Sequence, residues 1–170
     1  GAGDSKGRGT AMDLQLKGRR ALITGSSSGI GEAIARMLAE EGARVVIHGR
    51  NRERAEKVAA DIGAAGVAIG ELSDEGMAPA VHAEAVAALG GNIEILINNA
   101  GGNARGNTSK APYAIDVEDF VANYRANTLG AVQLCQLSVP DMVAHRFGRI
   151  VNVSSAVAMQ PNFMGGDYSA

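Results

Sequence analysis

Arg19-Arg20-Ala21-Leu22-Ile23-Thr24-Gly25-Ser26-Ser27-Ser28-Gly29-Ile30-Gly31 places an apolar run, a glycine-rich turn and the start of a helical pattern end to end. Ala21 to Thr24 reads as a short strand that stops at Gly25. Ile30, Ala33, Ile34, Met37 and Leu38 then fall on one face of a helix that Gly42 ends. A strand, a tight turn and an amphipathic helix in that order are the first half of a βαβ unit.

The pattern repeats along the chain. Arg44 to His48 predicts a second strand and Arg52 to Ile62 a helix, and Val67 to Ile69 is a weaker third strand. Ser73-Asp74 offers a cap for a helix reaching about Leu89, with Pro79 tolerated only in its first turns. Ile93 to Ile97 is a strong fourth strand, followed by Asn98-Asn99-Ala100-Gly101-Gly102 and a polar loop over 102–115. Asp116 with Asp119 resembles a capping box opening a long helix, which Pro140 is expected to kink or end. Arg149 to Val153 is the fifth strand, and the remainder is a loop beginning another helix.

Strands alternating with helices require right-handed crossovers and a parallel sheet covered on both faces. The apolar runs at 21–23, 45–47 and 93–97 suit strands buried on both sides. The fold class is therefore α/β, a doubly wound parallel sheet of Rossmann-like type. Residues 1–17 are expected to be a flexible leader or tag remnant, with Met12 as a native start, and 18–170 a single domain.

Composition narrows the function. The chain has 170 residues, 46% hydrophobic and 20% charged, with a mean hydropathy of +0.01, which suits one globular domain and excludes disorder for its bulk. Its net charge of −2 gives no electrostatic case for nucleic acid or an anionic membrane. No stretch approaches the roughly 20 apolar residues that cross a bilayer. Residues 1–11 lack the apolar run of a signal peptide, so the expected compartment is the cytoplasm. The single cysteine, Cys135, lies in an apolar helical pattern and reads as a structural thiol.

In the glycine turn, Gly25 permits the bend, Gly29 lets the backbone approach a ligand and Gly31 lets the helix pack on the strand. The amides of Ser27, Ser28, Gly29 and Ile30 then surround a helix N-terminus suited to a pyrophosphate. Gly25-Ser26-Ser27-Ser28-Gly29 also fits G-x-S-x-G, the elbow of acyl hydrolases, with Ser27 as nucleophile. That alternative needs a partner histidine. His48, His82 and His145 each read as ordinary surface or terminus residues.

Taken together, Thr24 to Gly31, Asn98-Asn99-Ala100-Gly101, Asn127, and Ser155 followed thirteen residues later by Tyr168 resemble the short-chain dehydrogenase/reductase family. The resemblance covers residues 18–170. It implies a hydride-transferring oxidoreductase acting on a carbonyl or secondary alcohol. Tyr168 is then the general acid or base, Ser155 the hydroxyl that holds the substrate oxygen, and Asn127 the residue that binds a water leading to a lysine four positions after the tyrosine. A tyrosine pKa of about 10 must be lowered by neighbouring positive charge for this work. The chain stops at Ala170, before that lysine, so the expectation is a C-terminally truncated member, inactive alone. A dinucleotide-binding module without chemistry is therefore the alternative reading.

Cofactor choice is read at the end of the second strand, where a carboxylate would select NAD and an arginine NADP. His48-Gly49-Arg50-Asn51-Arg52 carries no acid, so NADP(H) is favoured over NAD(H), with Arg50 on the 2′-phosphate. Glu71-Leu72 stands where relatives carry an Asp that contacts adenine. Asn98, Ala100 and Gly101 are expected beside the adenosine and ribose. The resemblance further implies a homodimer or homotetramer. The substrate remains open among ketones, keto-esters, steroids, sugars and acyl-carrier thioesters.

Overall fold

The computed structural model describes residues 13–102, 112–160 and 168. Five strands, β1 (Arg20–Ile23), β2 (Arg44–Gly49), β3 (Gly66–Ile69), β4 (Ile95–Asn98) and β5 (Arg149–Asn152), form one sheet in the order β3-β2-β1-β4-β5. Every pairing is parallel, with Leu22 opposite Val46 on one side and Leu96 on the other. The sheet is the doubly wound one expected. Its order reverses between β1 and β4, which opens a crevice at the carboxyl ends of those strands.

Side-chain alternation divides the core into two layers. Ala21, Ile23, Val45, Ile47, Ile95 and Ile97 face α1 (Gly29–Glu40) and α2 (Arg52–Ile62). Leu22, Val46, Ala68 and Leu96 face α3 (Met77–Leu89) and the helix carrying Leu134 and Met142. Leu16 packs on the first of these layers and its carbonyl accepts the Arg19 amide, so packing begins just before the expected domain boundary.

Three details differ from the sequence reading. α3 begins at Met77 rather than at Ser73-Asp74, because the residues before it close turns: the Asp74 amide donates to Glu71 and the Met77 amide to Asp74. Pro79 then sits in the first turn, where no amide hydrogen is required. The long helix is not uniform. α4 (Val117–Tyr124) passes into a π-helical turn over Arg125–Leu129 and then into α5 (Gly130–Ala144). Pro140 lies inside α5 without ending it. The Asp116–Asp119 capping box is present.

β3 and β5 are the edge strands, and all four residues of β5 are exposed. On the helices, Leu134 is fully buried, whereas Val121 and Leu129 are exposed.

Candidate functional site

The turn between β1 and α1 is fixed from two sides. From β4, the Thr24 hydroxyl accepts the amides of Asn99 and Ala100, both at 2.9 Å, while Asn99 Nδ2 donates to the carbonyls of Thr24 and Gly25 at 3.0 and 3.3 Å. From β2, His48 Nδ1 accepts the Gly25 amide at 2.9 Å, and the Ser26 hydroxyl accepts the His48 amide at 2.9 Å. Gly25 has φ +64°, in the left-handed region that favours glycine. A Cβ on Gly31 would collide with the Gly25 carbonyl, so helix and strand approach as the sequence reading requires.

Ser28 is the N-cap of α1, yet its side chain makes no cap hydrogen bond. The first-turn amides are thereby left without a side-chain acceptor, and a helix N-terminus in that state attracts an anion. Beside it lies a cavity of about 530 Å³ lined by residues that include Gly25, Ser27, Ser28, Arg50, Glu71, Leu72, Ala100 and Gly101. These eight predicted residues, drawn from four separate stretches of sequence, meet in one groove.

The other predicted residues lie elsewhere. Gly29 and Ile30 do not line the groove, and the Ile30 side chain is 67% exposed. Asn98 is buried on β4 and turned away from it: Nδ2 donates to Asn152 Oδ1 at 2.9 Å and contacts Cys135 Sγ at 3.4 Å. Asn127, in the π-helical turn, clasps Gly102. Its Oδ1 accepts the Gly102 amide at 2.7 Å, and its Nδ2 donates to the carbonyls of Gly102 and Asn123 at 3.0 and 2.8 Å. Ser155 begins the turn after β5, where its hydroxyl accepts the Val157 amide at 3.4 Å. Tyr168 borders a second cavity of about 360 Å³ together with Asn127, Phe120, Val121, Tyr124 and Leu129.

Electrostatics at the groove mouth centre on Arg50, whose Nη1 donates to Glu71 Oε2 at 2.9 Å. Burial pushes the Glu71 carboxyl upward, but the Arg50 guanidinium and the Ser73 amide outweigh it and leave the group below its usual range. Arg54 also lines the groove and forms no ion pair among the described residues.

His48 stands at the end of β2, as one of the two ordinary readings has it, but it is not a surface residue: it is 2% exposed. Burial lowers its pKa to about 4, an effect that the Gly70 backbone and the charges of Glu71 and Glu84 offset only in part. A strand-parity signal was available, since His48 lies on the same face of β2 as the buried Val46. Asn99, Arg54 and Asn51 were likewise not singled out, although Asn99 secures the turn and the two others line the groove. Among the described residues no histidine hydrogen-bonds Ser27, so the hydrolase arrangement has no base in place.

The family model of the short chain dehydrogenases matches residues 19–170. The chain belongs to the short-chain dehydrogenase family. This short-chain dehydrogenase chain is 37% identical over 164 residues to the 3-oxoacyl-(acyl-carrier-protein) reductase FabG of Aquifex aeolicus, covering 93% of the chain and 64% of the relative. Among solved structures, a gluconate 5-dehydrogenase from Burkholderia cenocepacia in complex with NADP and tartrate is 35% identical, with a TM-score of 0.78, and covers 91% of this chain and 60% of that one. A 3-ketoacyl-(acyl-carrier-protein) reductase from Brucella melitensis complexed with NADH is 32% identical with a TM-score of 0.80, covering 91% and 64% respectively. The chain thus spans a little under two thirds of the length of these relatives. No helix among its described residues is long and apolar enough to cross a membrane.

Proposed function

We propose that the protein is an NADP(H)-dependent oxidoreductase that interconverts a carbonyl and a secondary alcohol. The observation that carries this reading is the groove at the β1–β4 crevice. It joins the uncapped N-terminus of α1 to Arg50 and Arg54. The bound dinucleotide supplies or accepts the hydride.

The chain's own residues hold, orient and protonate. The amides of Ser27 and Ser28 in the groove, with those of Gly29 and Ile30 at the adjoining N-terminus of α1, would accommodate the diphosphate, and Ala100 and Gly101 border the adenosine side. Glu71 and Leu72 form the far wall. Arg50 would hold the 2′-phosphate, with Arg54 adding positive charge to the same groove. Ser155 donates a hydrogen bond to the substrate carbonyl oxygen, and the Tyr168 hydroxyl gives that oxygen its proton during reduction. Asn127 fixes the Gly102 backbone between the two cavities, which supports a positioning part for it.

The substrate is a small carbonyl or alcohol compound, the assembly a homodimer or homotetramer, and the compartment the cytoplasm. Fluorescence titration with NADPH and NADH, followed by turnover of a carbonyl panel by the wild type and a Tyr168→Phe variant, tests the reading. Tight NADPH binding with turnover lost in the variant is expected. Full activity in the variant overturns the proton-donor role, and NADPH binding without any turnover identifies a binding module instead.

A further inference from the structure

Three of the four hydrogen bonds that join the glycine turn to β2 and its own strand do not depend on which side chain residue 48 carries. The Ser26 amide donates to the His48 carbonyl at 2.8 Å, the His48 amide donates to Ser26 Oγ at 2.9 Å, and Ser26 Oγ donates to the Ile23 carbonyl at 2.7 Å. The fourth is different. The Gly25 amide, at the left-handed residue that turns the chain away from β1, donates to the imidazole Nδ1 of His48 at 2.9 Å.

We propose that His48 is a positioning residue of the anion cradle: its neutral imidazole, accepting the Gly25 amide through Nδ1, holds the turn so that the next amides face the groove. This inference rests on the dinucleotide reading of that groove.

The chemistry of the bond sets the requirement. An amide N–H can only donate, so Nδ1 must carry a lone pair and the proton must reside on Nε2. An imidazolium would present a second donor to Gly25 and break the hold. The surroundings keep the ring neutral. His48 is buried at the groove, and that burial disfavours the imidazolium, with the Gly70 backbone pulling the other way. Glu71 and Glu84, the acidic groups that face it from the loop after β3 and from α3, also oppose the burial, in part only. Glu84 is itself engaged, accepting the Ile69 amide at 2.9 Å. Had the Gly25 amide no acceptor here, its donor would be left without a partner and the turn would lose the one bond that residue 48's side chain supplies.

The test uses ADP-ribose, which carries the diphosphate but neither a 2′-phosphate nor a nicotinamide, with the full chain near neutral pH. Calorimetric titration compares the wild type with His48→Asn, whose amide oxygen replaces Nδ1 as acceptor, and with His48→Leu, which has no acceptor. Hydrogen exchange of the Gly25 amide is followed without ligand. We expect His48→Leu to bind at least about tenfold more weakly and to lose protection at Gly25, and His48→Asn to stay within about threefold of the wild type. Wild-type affinity and Gly25 protection in His48→Leu, or an equal loss in both variants, overturns the proposal alone. Absence of ADP-ribose binding by the wild type overturns the dinucleotide reading and the proposal with it. Should His48→Leu fail to fold, nitrogen-15 shifts of the wild-type imidazole decide: an unprotonated Nδ1 supports the proposal, and a protonated Nδ1 overturns it.

Discussion

The Arg50 guanidinium and the Glu71 carboxylate close on each other at 2.9 Å across the mouth of the groove, so the cation proposed to read a 2′-phosphate is already paired. The guanidinium is 77% exposed and the carboxylate 35%, so solvent screens the pair and it contributes under about 1 kcal/mol to stability. Its weight falls on ligand choice. Arg50→Asp should weaken NADPH by about tenfold or more while leaving NADH little changed, and Arg54→Ala should weaken NADPH by a smaller factor. Glu71→Gln frees Arg50 and should tighten NADPH. Paired fluorescence titrations with both dinucleotides check all three, and an unaltered NADPH-to-NADH ratio in Arg50→Asp removes that residue from cofactor selection.

Stability should depend on His48 as the solution is acidified. Its pKa lies at about 4 in the folded chain against 6.5 for the ordinary group, so between those values the unfolded chain binds the extra proton. Stability from the neutral ring is therefore complete above pH 6.5 and is lost progressively as the pH falls toward 4. The full loss corresponds to about 3 kcal/mol. Urea unfolding across that range should show a steeper decline for the wild type than for His48→Asn, which cannot titrate. Parallel curves would mean the ring is protonated in the folded chain.

Gly31→Ala tests the contact between α1 and β1. The added Cβ would run into the Gly25 carbonyl, which is backbone and cannot rotate aside. A cost of about 1–3 kcal/mol follows from such overpacking, opposite in sign to the usual helix gain of alanine over glycine. Chemical denaturation measures it; a more stable variant would show that the helix can slide outward freely.

Asn127→Ala removes the acceptor for the Gly102 amide and the donor to the carbonyls of Gly102 and Asn123. Leaving partly buried backbone groups without partners should cost about 1–3 kcal/mol. The loss should appear locally, as faster hydrogen exchange at Gly102, before it appears in global unfolding. An unchanged exchange rate there would assign the clasp no part in holding the segment after β4.

The sheet was legible because its signals are local. Ala21 to Ile23 and Ile95 to Ile97 are apolar on both faces, and the helical period over 30–38 marks α1, although its packed side runs through Gly31, Ile34, Ala35 and Leu38 and leaves Ile30 and Met37 of the expected face exposed. The eight groove residues were also legible, since backbone geometry at strand ends places them with little help from side chains. What escaped depends on contacts between distant stretches. Asn98 and Asn99 are identical neighbours in sequence, and only strand parity and the packing around β4 turn one toward Asn152 and the other toward Thr24. The π-helical turn at Arg125–Leu129 has no periodicity of its own, because one extra residue in a helix shifts the pattern without erasing it. Pro140 ended nothing because tertiary packing on both sides, at Ser138 and Met142, outweighs the loss of one amide.

Asn99 reaches Thr24 and Gly25 across three quarters of a hundred positions, and that span has a consequence for how the protein comes into being. A peptide cut to the first crossover would contain every glycine of the signature and the bonds to β2, but none of those that Asn99 and Ala100 supply. On a ribosome the loop would be held from one side only until the fourth strand emerged and docked, so its final shape arrives late.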